Sequence, residues 1–141
     1  MSADFIDTNV FVYLFDESAP EKRETAGEVV RAGLASGAII SFQVVQETLN
    51  VITCKLPVPA TPEGADEFLR AVLLPLWRVM PTQRLFRRGL DIQDRYRLSF
   101  YDSLIVAAAL EAGCSRLQSE DLQHGQRIEG LTINNPFKAD R

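Results

Sequence analysis

Ser99-Phe100-Tyr101-Asp102-Ser103-Leu104-Ile105-Val106-Ala107-Ala108-Ala109-Leu110 is the stretch that decides the fold. At helical spacing it is apolar on nearly every side beyond Asp102, so the helix it forms has no face for water and other layers must cover it. The helix runs to about Gly113, and the short apolar strand Arg116-Leu117-Gln118 follows at once. Working outward, the same alternation recurs. Ala3–Ile6 reads as a first strand, with an apolar helix behind it to about Leu14. Pro20-Glu21 starts an amphipathic helix to about Ala35, with Thr25, Val29, Ala32 and Leu34 expected on its inner side and Gly37 ending it. Ala38–Ser41 is a second strand and Phe42–Cys54 the next helix. Pro57-Val58-Pro59-Ala60 forbids a continuous helix and makes a stiff connector. Thr61-Pro62-Glu63 then supplies an N-cap, a proline at the first helical position and an acid in the first turn, predicting a helix that ends near Leu74-Pro75. Leu76–Met80 reads as a strand, Thr82–Tyr96 as a helix, and Leu131–Ile133 as the fifth and last strand. Short apolar strands alternating with helices imply a parallel sheet covered by helices on both faces.

With 141 residues and 46% hydrophobic content, the sequence fits one compact domain spanning 1–141. Met-Ser-Ala-Asp-Phe places an acid ahead of the first apolar run, so no secretory signal is expected. Val10–Phe15 and Leu104–Leu110 are far shorter than the roughly 20 residues of a membrane span. A soluble, cytoplasmic protein is the expectation. Cys54 and Cys114 lie far apart without CxxC spacing and are expected to be buried, inert thiols, as suits a reducing cytoplasm. The single histidine, His124, sits in a Gln123-His124-Gly125 loop and is expected to be exposed. One histidine leaves no room for histidine-pair acid–base chemistry or a His-based zinc site within one chain.

The formal net charge of −4 argues mildly against nucleic acid, but it says little about local fields. Arg84, Arg87, Arg88, Arg95 and Arg97 crowd one helix. Pairs such as Arg87–Asp91 and Asp91–Arg95 at i,i+4 would make that helix a solvated face, and a patch that tracks phosphates is the alternative.

Four carboxylates stand where a strand or loop hands over to a helix. Asp7 ends a strand in Phe5-Ile6-Asp7-Thr8-Asn9, which offers three oxygen-bearing side chains together, although Asp is also a favoured N-cap. Glu47 lies about 40° beyond Val51, on the rim of its helix's apolar arc, and either lines a cleft or faces water. Asp102 shares a face with Ile105, Val106 and Ala109, although Ser99-Phe100-Tyr101-Asp102 also has capping-box spacing. Asp121 follows the strand 116–118 in Ser119-Glu120-Asp121-Leu122, where Glu120 competes for the inward position and an ordinary polar turn is a further reading. In an open α/β sheet ligands gather at the carboxyl ends of strands. Acids converging there repel one another unless a hard cation holds them, so a Mg²⁺ or Mn²⁺ site is expected.

Taken in order, four segments resemble the PIN domain, and within it the VapC toxins of bacterial toxin–antitoxin pairs. They are Phe5-Ile6-Asp7-Thr8-Asn9, Gln46-Glu47, Ser99-Phe100-Tyr101-Asp102-Ser103-Leu104-Ile105-Val106-Ala107-Ala108-Ala109 and Ser119-Glu120-Asp121-Leu122-Gln123-His124-Gly125. The tail Leu131-Thr132-Ile133-Asn134-Asn135-Pro136-Phe137 is similar to the family's last strand. The resemblance implies a three-layer α/β/α sandwich with a five-stranded parallel sheet, and a Mg²⁺- or Mn²⁺-dependent endoribonuclease. It also implies that Asp7, Glu47, Asp102 and Asp121 are the catalytic, metal-holding acids. Thr8, Asn9 and Ser119 support them, and Asp121 is favoured over Glu120. The implied partners are an RNA substrate, a small antitoxin whose tail lies along the cleft, and a second copy in a homodimer. With no histidine or lysine placed as a base, metal-activated water is the expected nucleophile, leaving 5′-phosphate and 3′-hydroxyl ends. A housekeeping RNA-processing nuclease, a Mg²⁺-dependent phosphatase or 5′-nuclease, and a non-cleaving binding module are the alternatives.

Overall fold

The computed structural model describes residues 2–138; of the span 1–141 read as one domain, residues 1 and 139–141 lie outside the described residues. The first half of the chain runs β1 (Asp4–Ile6), α1 (Thr8–Tyr13), α2 (Pro20–Ser36), β2 (Ile40–Ser41), α3 (Phe42–Cys54) and α4 (Pro62–Phe68). A π-helical turn (Leu69–Leu73) and α5 (Leu74–Leu76) lead into β3 (Trp77–Val79), followed by α6 (Gln83–Tyr96) and α7 (Phe100–Glu111). β4 (Arg116–Gln118), β5 (Arg127–Ile128) and β6 (Leu131–Asn134) complete it.

β1 pairs in parallel with β4, and β4 with β6, placing Phe5, Leu117 and Ile133 side by side. β2 pairs in parallel with β3 and meets β1 through a Phe5–Ile39 bridge, with Ile6 N–H donating to the Ile39 carbonyl at 3.2 Å. The five strands expected from the sequence are thus parallel, in the order β3-β2-β1-β4-β6. The sheet has one strand more than expected. β5 turns back antiparallel onto β6 through Glu129-Gly130, with Glu129 held at φ 55°. A two-residue strand carries no alternation to read, and Glu-Gly is a weaker hairpin signal than Asn-Gly.

The central helix is buried as its composition demands: Ser103 through Ala109 are all covered. Serine and threonine caps start three helices, with Ser99 accepting from Asp102 N–H, Thr82 from Leu85 N–H and Thr61 from Gly64 N–H. The inner side expected for α2 needs correction. The inner stripe of α2 is Ala26, Val30 and Gly33, whereas Ala32 and Leu34 are exposed. Gly33 decides this, because its missing side chain lets α2 sit against Ile6 and Ala38; a Cβ there would stand 2.9 Å from Ile6 Cδ1 and 3.0 Å from Ala38 Cβ. The helix begun at Pro62 ends at Leu76, close to the expected Leu74-Pro75, and carries Pro75 inside its last turn. Its turn at 69–73 widens so that Leu74 N–H reaches the Leu69 carbonyl, five residues back, and buries Leu73 and Leu76. The wider turn admits a proline that lacks an N–H and whose ring crowds the preceding turn of an α-helix.

Cys114 is buried as expected, and burial pushes its thiol up to about 11. Cys54 is exposed, contrary to expectation, because the last turn of α3 runs out into the solvated connector. Among the described residues no helix is long and apolar enough to cross a membrane.

Gly33→Val should lower stability by about 1–3 kcal/mol by forcing α2 off the sheet. Gly27→Ala meets only the flexible Arg31 side chain, at 3.1 Å. It should instead gain about 0.5–1 kcal/mol from helix propensity. Urea midpoints of the two variants, moving in opposite directions from wild type, check this packing.

Candidate functional site

The register of the sheet builds the site. Because Ile6 lies opposite Gln118, the next residue of each strand, Asp7 and Ser119, come together at the carboxyl edge. Asp7 is only 3% exposed, although it carries an ionisable group. It is the N-cap of α1, its Oδ1 accepting from Thr8 N–H at 2.7 Å, while Ser119 Oγ donates to Oδ2 at 2.8 Å. Asn9 binds the neighbouring loop in two directions. Its Nδ2 donates to Asp121 Oδ2 at 3.1 Å and its Oδ1 accepts from Glu120 N–H at 3.1 Å. The Thr8 hydroxyl turns the other way and donates to Glu47 Oε1 at 2.7 Å.

Asp7, Glu47, Asp102 and Asp121 line one cleft of about 400 Å³. Four separate segments supply them: the end of β1, the middle of α3, the first turn of α7 and the loop after β4. Two local ambiguities resolve. Glu120 faces away, its Oε1 accepting from Tyr13 Oη at 2.6 Å and its Oε2 from Lys22 Nζ at 2.6 Å. Burial works against its charge, but the Lys22 and Tyr13 bonds hold it below the usual carboxylate range. At Asp102 only half of the capping box forms: Ser99 Oγ accepts from Asp102 N–H at 3.1 Å, whereas a return bond from Ser99 N–H to the carboxylate is absent among the described residues.

The electrostatics match the crowding. Burial raises Asp7 to about 7; bonds from Ser119 and Thr8 oppose this, and the charges of Asp121 and Glu47 add to it. Burial also raises Asp102, with Ser99 opposing and Asp121 and Glu47 adding. Carboxylates and hydroxyls are the hard oxygen donors that Mg²⁺ or Mn²⁺ prefers. Among the described residues, however, no three His, Cys, Asp or Glu side chains are grouped to hold an ion directly. In kind the donor set fits such an ion, and Asp7, Glu47, Asp102 and Asp121 are the residues that would hold it.

Two residues of the cleft escaped the sequence reading. Gln43, one turn before Glu47, donates from Nε2 to Glu47 Oε2 at 3.1 Å and to the Tyr101 carbonyl at 3.2 Å. Its own Oε1 is buried without a partner, a state that costs about 1–3 kcal/mol. The i,i+4 spacing to Glu47 was the available signal. Lys55, the cap after α3, brings a positive side chain to a cleft whose other charged lining residues are all acids. Among the described residues it pairs with no carboxylate. The arginines of α6 mostly do pair: Arg95 with Asp91 and Glu129, Arg88 with Glu129, and Arg84 with Glu111. The expected Arg87–Asp91 pair is not among them, because Asp91 turns to Arg95. His124 is exposed as expected, and its Nδ1 accepts from Asn135 N–H at 3.0 Å.

A parallel sheet between helix layers, with acids gathered at its carboxyl edge, defines a class of α/β proteins whose ligand site lies at the strand ends. The family model for the PIN domain matches residues 5–127, and the chain belongs to that family. Solved structures agree at the level of fold. A toxin–antitoxin complex from Klebsiella pneumoniae superposes with a TM-score of 0.69 at 18% identity, over 96% of this chain and 98% of that one. Mycobacterium tuberculosis VapC20, described as a toxin that cleaves the sarcin–ricin loop, gives 0.64 at 19% identity, over 84% of this chain and 90% of its own. FitAcB from Neisseria gonorrhoeae gives 0.63 at 16% identity, over 96% of this chain and 99% of its own. No curated protein matches the sequence.

The raised Asp7 predicts a stability that falls with pH. In the unfolded chain Asp7 ionises near 3.8, whereas in the folded protein it keeps its proton to about 7. Its contribution is fully present below pH 3.8 and is lost as pH climbs to about 7. The loss amounts to up to about 4 kcal/mol. In EDTA, melting temperatures at pH 5 and pH 8 should drop for wild type and change clearly less for Asp7→Asn, which should match or exceed wild type at pH 8. Equal drops in the two proteins would refute the assignment.

Proposed function

We propose that the protein is a metal-dependent endoribonuclease acting as the toxin of a toxin–antitoxin pair. The observation that carries this reading is the convergence of Asp7, Glu47, Asp102 and Asp121 on one cleft at the carboxyl edge of a PIN sheet. Such a crevice is self-repelling when empty and suits a ligand that brings positive charge. A bound Mg²⁺ or Mn²⁺ would acidify a water and shield the scissile phosphate.

The chain's own groups then divide the work. Asp7 and Asp102 are the principal holders of the ion, and Asp121 completes the set. Glu47, gripped by Thr8 on one oxygen and Gln43 on the other, is fixed to orient the attacking water or to hold a second ion. Thr8, Asn9 and Ser119 fix the directions of Glu47, Asp121 and Asp7 respectively. Lys55, at the rim, meets a phosphate of the RNA strand. In-line attack by water leaves a 5′-phosphate and a 3′-hydroxyl.

An unregulated ribonuclease in the cytoplasm is harmful to its own cell, which motivates a small antitoxin as partner. Its tail would lie along the cleft and place an arginine among the acids, in bidentate pairing. Two copies of the chain would pair through apolar surface such as Phe86 and Leu90, 38% and 56% exposed and one turn apart on α6.

Purified protein should cut RNA internally with Mg²⁺ and not with EDTA. Asp102→Asn should remain folded and lose the cleavage, since amide and carboxylate are near-isosteric; near-wild-type cutting by this variant would sink the assignment. Lys55→Met should raise KM with kcat nearly unchanged and flatten the log–log salt dependence of single-strand binding by about 0.7. Expression alone should arrest growth and co-expression with the cognate antitoxin restore it. Harmless expression would point instead to a housekeeping RNA-processing nuclease.

A further inference from the structure

We infer that Gln43 is a positioning residue whose side-chain amide sets the spacing of Glu47 and Asp102 for the cation; the inference rests on the metal-dependent reading above. Glu47 stands on α3 and Asp102 on α7, and no hydrogen bond joins the two acids directly among the described residues. Gln43 spans the gap. Its Nε2 carries two protons, one donated to Glu47 Oε2 at 3.1 Å and the other to the Tyr101 carbonyl at 3.2 Å, immediately before Asp102 in the chain. One planar nitrogen thus ties a carboxylate on one helix to the backbone that carries a carboxylate on the next. Because Thr8 Oγ1 holds the other Glu47 oxygen at 2.7 Å, Glu47 is fixed from α1 and from α3–α7 at once.

Stability alone would not select this side chain. Gln43 is 4% exposed, and its Oε1 sits in the interior without a partner. An unbranched apolar side chain of similar length, methionine, would fill the same space and strand no acceptor. The Tyr101 carbonyl also lies within the hydrogen-bond ladder of α7, so it is not orphaned when the amide goes. A buried polar group kept at a cost to stability, with both donors spent on the acid cleft, acts on the geometry of that cleft. Groups that hold metal-binding carboxylates from behind typically change metal affinity about 10–100-fold when removed.

The test compares wild type with Gln43→Met and Gln43→Leu by three measurements: thermal melting in EDTA, calorimetric titration with Mn²⁺ in the absence of RNA, and RNA cleavage as a function of Mg²⁺. Both variants should melt at or above wild type. Their Mn²⁺ affinity should fall about tenfold or more. The Mg²⁺ midpoint for cleavage should rise by a similar factor, with most of kcat regained at saturating metal. Unchanged Mn²⁺ affinity in the variants, with wild type binding and cutting normally, overturns the inference and leaves the nuclease reading intact. If both variants melt well below wild type, Gln43 is a packing residue and the inference also falls. A wild type that neither binds Mn²⁺ nor cuts RNA removes the nuclease reading itself and the inference with it.

Discussion

The structure turns on a carboxylate taken out of water. Asp7 ends the central strand at 3% exposure, and burying such a group is costly unless it is bonded or protonated. The chain uses both routes: Ser119 and Thr8 donate to the two oxygens, and burial lets the group keep its proton to about pH 7. These bonds depend on register. Ser119 reaches Asp7 only because Ile6 stands opposite Gln118, so a slip of β4 along β1 would strand the acid and expose the Phe5–Leu117 layer together. Packing and polar bonding therefore specify the same alignment.

Much of this was legible in the sequence, for identifiable reasons. The run Leu104–Leu110 has no polar face, so its burial and the layers around it followed. Each of the five parallel strands is short, four of them directly before or after a helix in element order, and each appears where the pattern placed it. Asp7, Asp102 and Asp121 were visible because each sits at a handover between elements. Glu47, expected at one too, lies in the middle of α3 and showed only as the rim of its apolar arc, and the fold gathers all four in one cleft. What stayed hidden depended on contacts far apart in sequence. Whether Glu120 or Asp121 faces the cleft is decided by Lys22 and Tyr13, about a hundred residues earlier. The inner face of α2 is set by how closely Gly33 approaches Ile6 and Ala38, which helical periodicity alone does not reveal. Gln43 gains the second partner for its amide only through the approach of α7, a contact that local spacing does not reveal.

The shortfall in hydrogen bonding is not spread evenly. Among the described residues, the buried side-chain atoms without partners are Ser41 Oγ, Gln43 Oε1 and Thr48 Oγ1, all on α3 or at its cap. Ser41 also leaves the amides at the start of that helix without a side-chain cap. Among the described residues the unpartnered buried atoms thus fall on the element that carries Glu47 or its cap, while α7 is almost wholly apolar. Concentrating unmet polar groups beside a ligand cleft is how a domain trades stability for a site of fixed shape.

The Ser119–Asp7 bond joins residues 112 apart, and Asn9 reaches Asp121 across the same distance. During synthesis, β1 and its acid emerge well before the loop after β4 and must wait for it. At about 5–20 residues per second that delay is on the order of ten seconds. No fragment released early, whether by a stalled ribosome or a truncated message, contains an assembled centre. A protein proposed to cut RNA would therefore be harmless until its message had been read through the loop after β4.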